Sequence, residues 1–370
     1  MRVKKIVLAV ALIAAVGAQT GTALAEPDTV RIRDLGTLPG GTSSSVGAIN
    51  DDGVIVGSAD VGDRKSHATR WDRSGRITDL GTLAGYESSY ATRINNRGVI
   101  VGYAATSREE HVRAVRWDRF GRLTELKPLP GDADSKPFGL NADGEVVGIS
   151  GGGRGYRAVR WNRDGAVTEL EGLGGDSWAS AINDDGVVAG YSRRANELVS
   201  HVIRWAADGR STDLTPNAEY SGRAEDINDA GTVVGVASPN AMRWDSDGKS
   251  TNLGEGQTAT QINNRGTIIG YASAYPYRAG MWNSRGEYKA LPGLPGEGDF
   301  LTAFGINDRD VIVGGSGLRA VRWDRDGRAT DLGTLPGGSS SRALIINNAG
   351  VIAGDAYDTV SGGYHAVVWR

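Results

Sequence analysis

The sequence predicts an all-β chain: an eight-bladed β-propeller with four strands per blade, its ring closed by the N-terminal strand pairing in the last blade. Three observations carry this reading. First, a unit of 35 to 46 residues recurs eight times; it has a small-residue run ending in Ile-Asn or Leu-Asn, a tight turn, a Val/Ile run closing on Gly, and a strand ending in Trp. Second, the stretches between turns are long enough only for short strands, and repeats of that length built of strands and turns are those of propellers. Third, the last unit stops at Trp369-Arg370 without a fourth strand, while the chain opens on a fourth strand that no unit precedes.

Taken in order, residues 1–25 carry Arg2, Lys4 and Lys5, an apolar run over 6–15 and Ala23-Leu24-Ala25, the three-part form of a secretory signal peptide. The apolar run is short for a membrane span of about 20 residues, and no second one follows. The mature chain is therefore expected to be residues 26–370, one propeller domain, extracellular and without a membrane span. Losing three cations and no carboxylate moves the formal charge from −3 to −6. That acidity speaks against nucleic acid as a partner. With no Cys in the chain, disulfides contribute nothing and burial must hold the fold. The 55 glycines are about twice the usual share of roughly 7%, and they sit at fixed places in each unit, which marks turns.

Residues 30–35 read as the displaced fourth strand. Each unit then begins with a strand ending at Asn50, Asn95, Asn141, Asn183, Asn228, Asn263, Asn307 or Asn347. A turn follows, centred on Asp52-Gly53 in unit one; in unit seven Asp310 takes the Gly place, Asp being among the few residues that tolerate left-handed backbone. The Asn is expected to bond the turn backbone as an Asx lock; the alternative is a ring of amides lining the channel as ligands. The third strand ends at Trp71, Trp117, Trp161, Trp205, Trp244, Trp282, Trp323 or Trp369. Between it and the fourth strand a two-residue X-Gly turn, Ser74-Gly75 in unit one, would set Arg70 opposite Asp79. The same offset of nine recurs as Arg116/Glu125, Arg160/Glu169, Arg204/Asp213, Arg243/Asn252 and Arg322/Asp331, and where Met281 replaces the Arg the partner place holds Ala290. These are expected to be structural cross-strand pairs.

Both turns of every unit fall at one end of the ring, so the long, variable connections gather at the other, the end where binding residues are expected. Trp178 lies outside the repeat frame, and Tyr86, Tyr90, Tyr191, Tyr220, Tyr275 and Tyr277 lie in or beside these connections. Aromatic faces edged by carboxylates and amides suit sugars or peptides, so these seven are the candidate ligand-binding residues. Three of the four histidines, His67, His201 and His365, stand four residues before a repeat Trp, in different blades; with His111 they are read as strand-edge positions and not as metal ligands. Asp324-Arg325-Asp326-Gly327 is one step short of a calcium-loop spacing and coincides with a hairpin turn. Loop carboxylates Glu87, Glu110, Asp132, Asp134, Asp176, Glu219, Glu297 and Asp299 could serve hydrolysis, but no spacing selects two of them. No P-loop or G-x-S-x-G element occurs, and neither a cofactor nor a catalytic residue is expected.

The unit typified by Ala48 to Gly57, joined to Asp34 to Gly41 and matched by Asp331 to Gly338 with Ile345 to Gly354, resembles that of the extracellular HAF-repeat proteins over about residues 30–370. The name-giving triplet departs, reading His67-Ala68-Thr69, His201-Val202-Ile203 and His365-Ala366-Val367 without Phe. The resemblance implies export and repeat architecture and carries no catalytic residue with it. The expected function is that of a secreted, monomeric binding module for a glycan, peptide or cell-envelope partner. The alternatives are a carbohydrate-active lyase or hydrolase and a purely structural repeat protein.

Overall fold

Each repeat folds into its own four-stranded antiparallel sheet, and eight such sheets form the ring. In blade 1 the strands are Ser44–Ile49, Ile55–Gly62, Lys65–Trp71 and Ile77–Asp79, from the central channel outward. The computed structural model describes residues 30–370 apart from 154, 273–277 and 299, with residues 31–370 as one compact unit. The expected leader, Tyr275, Tyr277 and Asp299 lie outside the described residues. Apart from a single 3₁₀ turn at Ser107–Glu109, the regular elements described are strands, and none of them is a helix able to cross a membrane.

The ring closes as the sequence predicts. Ile32–Asp34 pairs with the last strand, setting Ile32 opposite Trp369 and Asp34 opposite Val367, and so supplies the outer strand of blade 8. The main chain of Arg31 and Arg370 exchanges two more hydrogen bonds, and Leu35 packs with Val46, Trp71 and Val368 in a cluster shared by blades 8 and 1. The other apolar clusters among the described residues share this character: each joins residues of neighbouring blades and contains a Trp from the third strand. All eight of these indoles are essentially inaccessible. Six of them also peg to the preceding blade through the ring N–H, as Trp71 does to the Leu35 carbonyl (3.0 Å) and Trp117 to that of Leu80 (2.9 Å). The indole N–H groups of Trp244 and Trp369 are buried without a partner.

The Gly closing each Val/Ile run is explained by a bulge. In blade 1 the register steps between Val46 and Ala48, leaving Gly47 unpaired, and the other inner strands bulge at the same place. The backbone there swings against the second strand, so that a Cβ on Gly57 would lie 1.9 Å from the Ser45 carbonyl oxygen. Only Gly accepts that approach.

Two sequence expectations need correction, and both concern turn length. The outer hairpin is a three-residue loop: a turn through Arg73-Ser74, closed by Gly75 N–H to the Asp72 carbonyl, followed by Gly75 alone in left-handed backbone at φ +77°. A two-residue turn would have forced Ser74 to positive φ as well, a cost this geometry avoids. The inner turn is built alike, with Gly53 closing on Asn50; in unit seven Asp310 takes the left-handed place at φ +61°.

The register moves accordingly. Arg70 faces Thr78, and Asp79 faces Thr69, so the offset-nine pairs do not form. The carboxylate instead meets the side chain twelve residues upstream: His67–Asp79 at 2.9 Å, Arg113–Glu125 at 3.1 Å, Arg157–Glu169 at 2.9 Å, Arg319–Asp331 at 2.8 Å, and across the closure His365–Asp34 at 2.8 Å. The arginine reaches sideways to the next blade, Arg70 donating to the Arg119 carbonyl (3.1 Å) and Arg204 to that of Asp245 (3.0 Å). In blade 6, Met281 cannot do this, and the Lys289 facing it donates to the Asp326 carbonyl in its stead.

The repeat Asn makes the expected turn lock, and its amide is spent on the neighbouring blade and not presented as a ligand ring. Its Oδ1 accepts from its own turn, Asn50 from Val54 N–H at 2.9 Å, which is the expected lock. Its Nδ2 donates to the main-chain carbonyl of the next repeat Asn, from Asn50 to Asn95 and onward until Asn347 donates to Asn50 (2.9 Å). The result is a closed ring of buried amide bonds around the channel.

Candidate functional site

Each inner strand enters from the variable-connection end and leaves at the Asn turn, so a residue five places before the Asn stands near the variable mouth of the channel. Four consecutive blades place Tyr90, Lys136, Trp178 and Arg223 there. Register stacks two of them on aromatic partners in the second strand: Tyr90 on Tyr103 with centroids 5.0 Å apart, and Trp178 on Tyr191 at 5.0 Å and 13°. Tyr156 from blade 3 tilts against Trp178 at 5.2 Å, and the Lys136 ammonium lies 4.2 Å over the Tyr103 ring. The outcome is an arc of five aromatic rings with cations set among them, carried on strands whose positions the blade packing fixes. Beside it, between blades 2 and 3, lies a recess of about 240 Å³ lined by Glu109, Glu110, Asp134, Lys136 and Tyr156 among others.

The electrostatics follow from partial burial. Desolvation pushes the Tyr103 hydroxyl up to about 12, with help from Glu109 and Tyr90, and raises that of Tyr191. Both phenols therefore stay protonated donors at neutral pH. A hydrogen bond from Arg223 to Glu225 raises the guanidinium further and holds it against the channel mouth.

Of the residues singled out in the sequence, Trp178, Tyr191 and Tyr90 belong to this arc. Tyr86 is half-buried against the core between blades 1 and 2, where desolvation raises its hydroxyl. Tyr220 is 63% exposed beside a separate shallow cleft with Pro216 and Ser238. Tyr103, Lys136, Tyr156 and Arg223 were missed; comparing units at the fifth place before the Asn would have found two of them. The loop carboxylates are partly committed, Asp132 to Arg157 at 2.8 Å and Asp176 to the Tyr156 N–H at 3.0 Å. Asp324 accepts from the Asp326 and Arg328 N–H groups of its own turn.

Two carboxylates, Asp355 buried and Asp226 half-buried, make stability depend on pH. Asp355, which accepts from the Val46 N–H across the closure, is pushed up to about 6 by burial, and so is Asp226 in the channel. A folded-state value above the unfolded 3.8 means the native state binds the proton more tightly. Their ionisation therefore weakens the fold as pH rises from about 4 to about 6, by at most about 3 kcal/mol each, and the loss is complete above that. Thermal melts should show Tm rising from pH 7.5 to pH 5, and Asp355→Asn should flatten the rise; a Tm that falls over that range would contradict this assignment.

No family model matches the chain, and no curated protein matches it. Among solved structures the chain is similar to a streptogramin B lyase (13% identity, TM-score 0.51, 92% of this chain and 97% of that one). It is likewise similar to virginiamycin B lyase from Staphylococcus aureus (14%, 0.51, 92% and 99%). A third likeness, to puromycin hydrolase, covers 84% of this chain and 58% of that one at 17% identity and TM-score 0.53. At such identities the likeness shows the fold alone, and the fold is that of a β-propeller.

Proposed function

We propose that the chain is an exported binding module of the HAF-repeat class, released from a leader over residues 1–25, that recognises a glycan, peptide or cell-envelope partner on its variable-connection face. The observation that supports this is the arc from Tyr90 to Arg223: flat aromatic faces of low conformational entropy beside fixed cations, on a scaffold that does not have to reorganise. Aromatic rings supply stacking area to sugar faces or peptide side chains, and Lys136 and Arg223 supply orientation. The opposite face, made of short repeated turns whose polar groups bond one another, offers no comparable variety.

The reading is tested on glycan and peptide arrays with residues 26–370 and with Trp178→Ala. Retention of at least one ligand class by the parent protein and a loss of tenfold or more in the variant are expected. Truncating a central aromatic in a recognition surface costs about 2 kcal/mol or more, which is roughly thirtyfold. Equal retention by both proteins would remove the arc as the site.

A further inference from the structure

In seven of the eight blades, residues among the three before the Asn, at and beside the bulge, line the channel. In most blades these are small or apolar, as with Gly47-Ala48, Phe138-Gly139 and Ser180-Ala181. Blade 2 instead presents Arg93, blade 5 Glu225 and Asp226, and blade 6 Thr260 and Gln261. All of these line one cavity of about 430 Å³ inside the channel, to which seven of the eight inner strands contribute. We propose that this cavity is a second site, which takes a small zwitterion, such as an amino acid or short peptide, with its carboxylate on Arg93 and its ammonium on Asp226.

The charges argue for this because they oppose each other without meeting. Arg93 donates to the Thr92 carbonyl at 2.8 Å and forms no ion pair among the described residues. The Arg93 side chain is exposed to the lumen; the surrounding protein lowers its pKa and the field of Asp226 raises it, so the two groups sense one another across the lumen while the guanidinium keeps donors to spare. Each Asp226 oxygen accepts one main-chain N–H, from Ile227 at 2.9 Å and from Ile262 at 3.0 Å, which fixes the carboxylate and leaves lone pairs toward the cavity. Glu225 is held by Arg223 at the channel mouth and does not compete for Arg93. Two opposite charges that face one lumen without pairing leave both open to a ligand, and one carrying both complementary charges can engage both at once. Ile94, Leu140 and Ile182 line the remainder of the wall, which favours short aliphatic matter between the charged ends.

The test is titration of residues 26–370 with glycine, diglycine and triglycine by calorimetry and by NMR, and with N-acetyldiglycine and diglycinamide as capped controls. At least one zwitterion is expected to saturate, with each capped form at least tenfold weaker. Arg93→Met and Asp226→Asn, checked for folding by circular dichroism, should each weaken it tenfold or more. The proposal falls if no zwitterion saturates below about 10 mM, a binding free energy of only about −3 kcal/mol, if a capped form binds equally, or if a folded variant binds as the parent does. Should a variant fail to fold, the comparison of capped and free ligands on the parent protein decides alone. Because the arc is probed separately, by the array comparison with Trp178→Ala, failure here leaves the reading of the variable face intact, and the converse also holds.

Discussion

Deleting residues 1–35 should unseat the ring, giving a protein that melts far below the one lacking only residues 1–25 or that self-associates where that one does not. The deletion removes the outer strand of blade 8 and with it the main-chain bonds to Ala366 and Arg370. It also removes the acceptor of the Trp71 indole, the carboxylate facing His365 and the buried Leu35. Burying one Leu contributes roughly 1.5–3 kcal/mol and each hydrogen bond about 1 kcal/mol, so the sum reaches 5 kcal/mol or more, within the range of a whole domain's stability. The third strand of blade 8 also becomes a bare edge, free to pair with another chain. Thermal melts and size-exclusion chromatography read the result, and a synthetic peptide of residues 29–37 should restore part of the lost Tm. A truncated protein that melts within about 2 °C of its parent would mean that the closure contributes little, since about 1 kcal/mol already shifts a domain of this size by roughly that amount.

Asn263→Ala should be among the most destabilising single substitutions in the chain, at about 3–5 kcal/mol. The side chain is 5% exposed and makes four hydrogen bonds: from Nδ2 to the Asn307 carbonyl (2.8 Å) and Asp310 Oδ1 (2.9 Å), and at Oδ1 from Thr267 N–H (2.9 Å) and Arg265 N–H (3.1 Å). Alanine leaves buried donors and acceptors on two blades without partners, each costing about 1–3 kcal/mol. Asn50, whose amide reaches the next blade at a longer 3.3 Å and accepts one turn N–H at 2.9 Å, should lose less on the same change. Chemical denaturation of the two variants checks the order, and a smaller loss for Asn263→Ala would show that the amide ring does not carry the stability given to it here. Asn263→Asp is a sharper form of the test: it keeps the shape but turns a donor into a charged acceptor facing a carbonyl.

Blade count, strand order and ring closure were legible in the chain because each depends on local chemistry that repeats. The Gly or Asp after a turn, the alternation within a strand and the Trp at its end report on a few neighbours, and eight copies make the signal unmistakable. The surplus fourth strand at the start and the missing one at the end needed no contact information to be matched. Site residues were legible only where a residue broke the repeat conspicuously, as Trp178 does. Lys136 and Arg223 did not stand out, because a cation in a strand is ordinary until its register position is known. Arg93 and Asp226 lay hidden at a position that is Ala or Gly in four of the other six units, and only the folded ring brings them to one cavity.

From the amino-acid order alone come the architecture and the end of the ring at which variety gathers, since turns and strand periods are decided over two to five residues. The tertiary structure decided which side chains meet. A loop of three residues in place of two moved Asp79 from Arg70 to His67, and the closed ring brought Arg93 and Asp226, three blades apart, to one cavity. Partnership across blades depends on that register summed around a closed ring, which no window of sequence contains.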